Sequence, residues 1–232
     1  MINPSSPNQL YDLLRPVKTK KIRLGPKADS GYVVAKDYLP NNLFSYGVGP
    51  SCDFEADYIN LVPNCSVALF DGTVRAPTNF LDAYPNATFY NNNVYTLDHL
   101  GLALQTEQSV FVAMDIEGSE FTVFKNTETL QLENIISKIQ QLCIEVHLMN
   151  KNYIEILQLL HLFQQHFYLV HIHGNNFRRE TIWNLPMVIE LTYINKSCFL
   201  QEVVYDNTPC PVEGLDYPNS PFAEDLSLNW WS

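Results

Sequence analysis

The sequence has no run of about 18 uninterrupted apolar residues, so it predicts no membrane-spanning helix and no membrane partner. Residues 1–7 lack the basic and apolar stretches of a signal peptide, which favours a cytoplasmic protein. Only five cysteines occur and none forms a Cys-x-x-Cys pair, which excludes a disulfide-stapled miniprotein and is typical of reduced thiols. Positive charge is also scarce. With 14 Lys and Arg against 25 Asp and Glu, the net charge of −11 argues against a broad nucleic-acid-binding surface.

Apolar residues, by contrast, are plentiful. They make up 46% of the 232 residues while charged residues make up 17%, which excludes a disordered chain and predicts a full hydrophobic core. Pattern and composition divide the chain into three parts. Residues 1–40 are predicted to form an N-terminal helix and a β-hairpin arm, residues 41–207 the main domain, and residues 208–232 an irregular C-terminal extension.

In the main domain, short apolar strands alternate with helical segments. This alternation predicts an α/β, Rossmann-like fold with a largely parallel sheet and helices on both faces. No obvious helix separates the last two strands, so these two must pair antiparallel. We therefore expect a seven-stranded, mostly parallel sheet whose last strand is antiparallel. The predicted strands span residues 43–49, 66–71, 87–91, 110–115, 141–147, 167–173 and 186–193, and the predicted helices span 53–61, 78–83, 96–105, 121–130 and 153–165.

Polar residues follow most of these strands at the point where each strand ends. In doubly wound sheets, ligands bind outside the carboxyl ends of the strands. Any one of these acids could simply cap the next helix. Their number in an otherwise apolar chain instead favours a shared site. The residues are Gly47, Gly49, Asp71, Asp115, Glu145, His147 and His173.

A glycine turn follows the first of these strands. Gly47-Val48-Gly49 stands between a predicted strand and a predicted helix, which is the context that a nucleotide-binding turn requires. Asp71 ends the second strand, 22 residues after Gly49, where an acid can accept both hydroxyls of a ribose. Together the turn and the acid predict a cofactor that contains a nucleoside.

Charge discriminates between two such cofactors. A dinucleotide needs a third glycine and a helix start that favours a pyrophosphate. Here Cys52 occupies the third-glycine position, and Asp53 and Glu55 would repel the pyrophosphate. S-adenosylmethionine has no phosphate but carries an ammonium and a sulfonium, which suit these acids and the ring of Tyr46. The pattern favours S-adenosylmethionine over NAD, although acids at a helix start also stabilise the helix without any ligand.

Several short motifs in the chain occur together in one known family. They are Arg23-Leu24-Gly25, residues 29–33, residues 45–49, Leu97-Asp98, residues 112–120, Glu145-Val146-His147 and residues 173–176. With these motifs the chain resembles the FkbM-type class I methyltransferases, which use S-adenosylmethionine. The resemblance covers roughly residues 20–195, and it implies the same seven-stranded sheet and O-methylation, often of sugars or other small hydroxylated metabolites. Ser30 is a departure, because a glycine is expected at that position of the arm.

The glycine turn, the acids and the resemblance together predict a set of cofactor-binding residues. The loop after the fourth strand is included because, by the resemblance, it lies beside the cofactor. The predicted cofactor-binding residues are Tyr46, Gly47, Gly49, Asp71, Gly72, Thr73, Asp98, Asp115, Ile116 and Glu117.

Methyl transfer to oxygen also needs a group that activates the acceptor hydroxyl, and two routes stay open. His147 or His173 can act as a general base, with Asp115 as the third predicted catalytic residue. Alternatively, a divalent metal such as Mg²⁺ can lower the pKa of the hydroxyl. Asp115 and Glu145 end adjacent strands in a layout that resembles the metal ligands of catechol O-methyltransferase, and His173 completes the predicted metal set.

Structural roles compete with these assignments. Glu145 could pair with Arg23, and both histidines could be satisfied core residues. The preferred function is S-adenosylmethionine-dependent O-methylation of a small hydroxylated acceptor, with a homodimer left open. The alternative is a catalytically silent binding protein of the same fold. An NAD-dependent sugar enzyme is disfavoured because the third glycine is missing.

Overall fold

The computed structural model describes residues 8–97, 109–127, 129–148, 151, 153–177, 181–182 and 185–231. The described helices are α1 (Asn8–Leu13), α2 (Asp53–Leu61), α3 (Thr78–Ala83), α4 (Glu120–Asn126), α5 (Thr129–Lys138) and α6 (Tyr153–His166). The described strands are β1 (Lys21–Leu24), β2 (Tyr32–Ala35), β3 (Asn42–Tyr46), β4 (Ser66–Phe70), β5 (Ala87–Tyr90), β6 (Val110–Met114), β7 (Ile139–His147), β8 (Phe167–Gly174), β9 (Thr181–Ile182), β10 (Leu185–Pro186) and β11 (Val188–Asn195).

The main sheet has seven strands in the order β5-β4-β3-β6-β7-β11-β8. Strands β3 to β7 pair parallel, while β11 pairs antiparallel with both β7 and β8. The predicted architecture, including the antiparallel last strand, is confirmed. The register sets Glu190 of β11 opposite Glu145 of β7 on one side and opposite His173 of β8 on the other. Strand pairing therefore brings charged residues from three strands into one row.

Alternating side chains of the central strands pack on opposite faces of the sheet. Val112 and Met114 of β6 belong to a core on one face, while Phe111 and Ala113 of the same strand belong to a core on the other. Both faces are covered, which is why β6 is buried at every position and reads as a continuous apolar run. Among the described residues, no helix is long and apolar enough to cross a membrane.

Local differences from the predicted elements have clear causes. The predicted strand 43–49 ends at Tyr46, because Gly47 and Gly49 adopt positive φ values of 77° and 67° and turn the chain. The predicted helix 121–130 is in fact two helices. Thr127 ends the first with an extended backbone, and its side chain turns back to donate to the carbonyl of Val123. The predicted helix 96–105 lies largely outside the described residues.

The C-terminal segment packs against the edge of the main sheet. A carboxylate oxygen of Asp216 lies 2.8 Å from His171 Nε2, and one of Asp225 lies 2.9 Å from His173 Nε2. Two histidines of β8 therefore contact this segment. Trp230 stacks on Tyr11 of α1 with ring centroids 5.1 Å apart. The segment is irregular, as its composition predicts, but it is anchored to the core at several points. The division into arm, main domain and extension stays a prediction.

Candidate active site

A cavity of about 590 Å³ opens at the carboxyl ends of β3, β4 and β6. Nine of the ten predicted cofactor-binding residues line it, and the tenth, Asp98, lies outside the described residues. The topology thus brings together residues that are far apart in sequence, while their binding roles stay predictions. The nine are Tyr46, Gly47, Gly49, Asp71, Gly72, Thr73, Asp115, Ile116 and Glu117.

The glycine turn is in direct contact with the loop that follows β6. A Cβ atom at Gly47 would lie 1.6 Å from the carbonyl oxygen of Asp115, so only glycine fits at this position. The Asp115 N–H donates to the carbonyl of Tyr46 over 2.9 Å, which extends the pairing of the two strands into their loops. The two backbones therefore form a common wall that joins the glycine turn to the acid at position 115.

Asp71 ties the glycine turn to the loop after β4. One carboxylate oxygen accepts from the backbone N–H and the hydroxyl of Thr73, both at 2.7 Å, and the other accepts from the Gly49 N–H at 3.0 Å. Burial acts to raise the pKa of Asp71, but these hydrogen bonds outweigh it and hold the pKa below its usual range. The carboxylate is thus ionised and fixed, with acceptor capacity left on the oxygen that faces Gly49.

Two further side chains give the cavity its polar character. Tyr46 is buried against Phe70, and among the described residues its hydroxyl has no hydrogen-bond partner. Glu55 of α2 is also buried, where it accepts a hydrogen bond from the Ser45 hydroxyl over 2.5 Å. Burial raises the pKa of Glu55 to about 7. The sequence marked Glu55 only as a charge at a helix start, and the burial that makes it part of the cavity wall is visible only in the fold.

Asp115, Glu145 and His147 form a compact group beside this cavity. One side-chain atom of each lies within 4.8 Å of the others, and His147 Nε2 is 3.5 Å from a carboxylate oxygen of Glu145. Glu117, which is largely exposed, lies 3.4 Å from the same nitrogen. The structure thus joins four of the predicted site residues. Arg23 does not pair with Glu145, because its guanidinium donates to three backbone carbonyls instead.

Each member of the group is held by a neighbour. The Tyr32 hydroxyl donates to Asp115 over 3.3 Å, and the Asn175 amide donates to Glu145 over 3.3 Å. His147 Nδ1 lies 3.1 Å from Glu120. No partner among the described residues reaches the second carboxylate oxygen of Asp115.

Electrostatics shift the titration of the whole group. Burial raises the pKa of Asp115 to about 7, with His147 opposing the shift and Glu117 adding to it. Burial and the charge of Asp115 raise the pKa of Glu145 well above its usual range. For His147 burial acts to lower the pKa, but the contact with Glu120 outweighs it and the pKa is raised. A single imidazole thus does not offset the burial of the two carboxylates, and the folded protein disfavours the ionised form of both acids.

His173 does not join this group, although the sequence predicted it for both the catalytic and the metal set. Its Nδ1 lies 3.0 Å from Glu190 and its Nε2 lies 2.9 Å from Asp225. Burial acts to lower the pKa of His173, but the charge of Glu190 and the two contacts raise it to about 10. Both ring nitrogens are occupied and the ring holds its proton. It is therefore His147, and not His173, that faces the acids at the cavity.

Comparisons with known proteins identify the family. The family described as Methyltransferase FkbM domain matches residues 16–174. Comparison with the curated proteins gives no match.

Two solved structures show the level of structural similarity. The precorrin-6y C5,15-methyltransferase from Geobacter metallireducens is 9% identical with a TM-score of 0.39, and the alignment covers 67% of this chain and 80% of that one. The fibrillarin pre-rRNA processing protein from Methanococcus jannaschii is 11% identical with a TM-score of 0.39, covering 82% and 76%. Scores this low support no statement about activity. The family match covers more than half of the chain and agrees with the strand order, so the chain belongs to the FkbM family of methyltransferases, which use S-adenosylmethionine.

Proposed function

We propose that this protein transfers the methyl group of S-adenosylmethionine to a hydroxyl oxygen of a small acceptor, with a sugar as the leading class. The supporting observation is the wall shared by Gly47 and Asp115. It sets the predicted cofactor turn directly beside the group of Asp115, Glu145 and His147. Because the turn and Asp115 line the same cavity, a methyl donor bound at the turn and a hydroxyl oriented by Asp115 would be neighbours.

The cavity suits the cofactor in its charge. S-adenosylmethionine supplies a methyl group bound to a positively charged sulfur, and it contains no phosphate. Asp71 can accept from a ribose hydroxyl with its remaining lone pair, and the unpartnered hydroxyl of Tyr46 can bind a polar atom of a ligand. Glu55 and Asp53 make the start of α2 acidic, which would disfavour a pyrophosphate at the same place.

The acceptor hydroxyl has to lose its proton as the new carbon–oxygen bond forms and the sulfur–carbon bond breaks. His147 is the imidazole in the group of Asp115 and Glu145, and its Nε2 lies 3.5 Å from Glu145 while Glu120 holds its Nδ1. Asp115 lines the cavity and can orient the hydroxyl. The proton passes to His147 and then to solvent. A small soluble acceptor, a cytoplasmic location and a homodimer remain predictions from the sequence.

Calorimetry and a turnover assay test this function. S-adenosylhomocysteine should bind the full chain while NAD does not, and a panel of sugars and other small alcohols should yield S-adenosylhomocysteine from S-adenosylmethionine. His147→Gln should abolish turnover and keep cofactor binding, whereas the exposed His161→Gln should change neither. Absence of S-adenosylhomocysteine binding would contradict the cofactor assignment. Binding without turnover on any acceptor would favour the silent binding protein.

A further inference from the structure

The group of Asp115, Glu145 and His147 has the composition of a cation site as well as that of a base. Its two carboxylates come from the ends of adjacent strands, and its imidazole follows Glu145 by two residues on β7. His147 Nε2 lies 3.5 Å from Glu145, and one carboxylate oxygen of Asp115 lies within 4.8 Å of a ligand atom of each of these two residues. We propose that these three side chains bind a divalent cation, which deepens the proposed function by placing the activating charge beside the acceptor.

The neighbours of the group support this assignment over a simple hydrogen-bonded network. In metal sites the ligating histidine presents its second ring nitrogen to a carboxylate or carbonyl, and ligating carboxylates are themselves hydrogen-bonded. His147 Nδ1 is held by Glu120, Asp115 by Tyr32 and Glu145 by Asn175. Every candidate ligand therefore has its own orienting partner, and each of the three keeps an atom directed at the others.

An unpartnered atom points to what is missing. The second carboxylate oxygen of Asp115 is buried and has no partner among the described residues, although buried carboxylate oxygens in native proteins are almost always paired. Among the residues that the structure describes, no lysine or arginine forms an ion pair with Asp115 or Glu145. A bound cation would pair the oxygen and neutralise the two acids together.

The ligand types indicate which cation would bind. Carboxylate oxygens suit Mg²⁺, Ca²⁺ and Mn²⁺, while an imidazole nitrogen shifts the preference away from Mg²⁺ and Ca²⁺ towards transition metals. Two carboxylates with one imidazole therefore favour Mn²⁺ over the Mg²⁺ that the sequence suggested. Three protein ligands leave coordination positions free for water or for the oxygen of an acceptor. An acceptor hydroxyl bound to the cation would be acidified at the place where it meets the methyl donor.

Titration with Mn²⁺ followed by electron paramagnetic resonance measures this site in the full chain without cofactor. We expect a single site, and we expect Asp115→Asn, Glu145→Gln and His147→Gln each to weaken binding by at least ~10-fold, because one ligand is lost. The exposed Glu202→Gln serves as the matched control and should leave binding unchanged. His173→Gln should also keep the site, because His173 contacts other acids. Several weak sites that none of these variants affects would overturn the proposal as adventitious binding to an acidic protein.

Thermal unfolding keeps the test decisive if a variant folds poorly. Mn²⁺ should raise the unfolding temperature of the wild type, because a ligand that binds only the folded state stabilises it. Glu145→Gln should unfold at a higher temperature than the wild type without metal, because it removes repulsion, and should show no response to Mn²⁺. A destabilised Glu145→Gln together with an unresponsive wild type would show a structural network instead.

The outcomes separate this inference from the function on which it rests. Mn²⁺ binding without binding of S-adenosylhomocysteine would leave the cation site standing and contradict methyl transfer. Full turnover in the presence of a chelator, with no Mn²⁺ bound, would leave methyl transfer standing with His147 as the base and refute the cation site.

Discussion

Two buried groups of histidine and carboxylates lie near each other in this protein and differ in how completely they are paired. In the first, which we call the C-terminal clamp, His173 contacts Glu190 and Asp225, and the Asn219 amide donates to the other oxygen of Glu190 over 2.6 Å. In the second, Asp115 and Glu145 share the single imidazole of His147, and an oxygen of Asp115 has no partner among the described residues. The first group is fully paired within the protein, and the unpaired oxygen of the second agrees with the binding role that we propose for it.

The largest expected effect comes from breaking the clamp. His173→Gln removes the positive charge between Glu190 and Asp225 and leaves two acids facing each other in a buried position. We expect unfolding free energy to fall by about 3 kcal/mol, the usual cost of removing one partner from a buried ion pair. Urea unfolding measures the change, with the exposed His161→Gln as the control. A loss equal to that of the control would show that the clamp is not an ion pair.

The pH dependence of stability tests the same clamp without changing its shape. The pKa of His173 is about 10 in the folded protein, above the ordinary 6.5, because Glu190, Asp225 and Asp216 surround the ring. The stabilisation is therefore complete below pH 6.5 and is lost as the pH rises towards about 10. The unfolding temperature of the wild type should converge with that of His173→Gln over this range. A difference that stays constant with pH would contradict the assignment.

Asp71 combines features of the two groups, because it is paired within the protein and also faces the cavity. Asp71→Ala should weaken the binding of S-adenosylhomocysteine by at least ~10-fold, because hydrogen bonds to a charged group are worth more than 1.4 kcal/mol each. Loss of its bonds to Gly49 and Thr73 should also lower the unfolding temperature slightly. Calorimetry measures the affinity, and Asp82→Ala on α3 is the exposed control. Wild-type affinity in the variant would exclude Asp71 from the cofactor site.

In the candidate site we expect a substitution to raise the unfolding free energy rather than lower it. Asp115→Asn removes one of two acids that face one imidazole, so the unfolding free energy should rise by about 1 kcal/mol while turnover falls. The gain would mark a group that is arranged for binding at a cost in stability. Urea unfolding and the methyl-transfer assay measure the two changes, with Asp82→Asn as the control. Destabilisation would mean that Asp115 is satisfied in the folded state.

The smallest effect is expected at Ser30 in the arm that borders the cavity. Its φ of 64° lies in the left-handed region, which explains why the family resemblance places a glycine there. Ser30→Gly should raise the unfolding free energy by at most about 1 kcal/mol, because it relieves that conformation. It should leave both buried groups unchanged. A loss of stability would indicate that the Ser30 side chain makes a contact that outweighs its backbone strain.

The sequence predicted those parts of the site that depend on strand order. Gly49 and Asp71 are 22 residues apart and end neighbouring strands, so an alternating pattern was sufficient to place them together. The same reasoning predicted that Asp115 and Glu145 lie together, because they end adjacent strands. The sequence did not indicate that His173 contacts acids outside the group of Asp115, Glu145 and His147, because these partners could not be read from the pattern. Asp225 lies in an irregular segment 52 residues later, and Glu190 reaches His173 only through the register of an antiparallel strand.

Secondary structure was hardest to predict where side chains override the local pattern. The first of the two helices, α4, ends at Thr127, whose backbone is extended and whose hydroxyl donates to the carbonyl of Val123 and accepts from the Leu97 N–H. Nothing in the apolar pattern of this stretch indicates that bond. The burial of Glu55 was equally hidden, because a charged residue in a first helical turn is normally exposed.

The contact between Gly47 and the carbonyl of Asp115 limits how an enzyme of this design can diversify. Because two main chains meet there with no side chain between them, side-chain substitutions elsewhere leave the spacing between the glycine turn and Asp115 unchanged, and under the proposed function this spacing sets the distance from methyl donor to acceptor. Asp29 and Ser30 border the same cavity from the exposed part of the arm, whereas Tyr32, which also borders it, donates to Asp115. Under the proposed function, a different acceptor would be accommodated by substitutions in this part of the arm, while the distance from methyl donor to acceptor would stay the same.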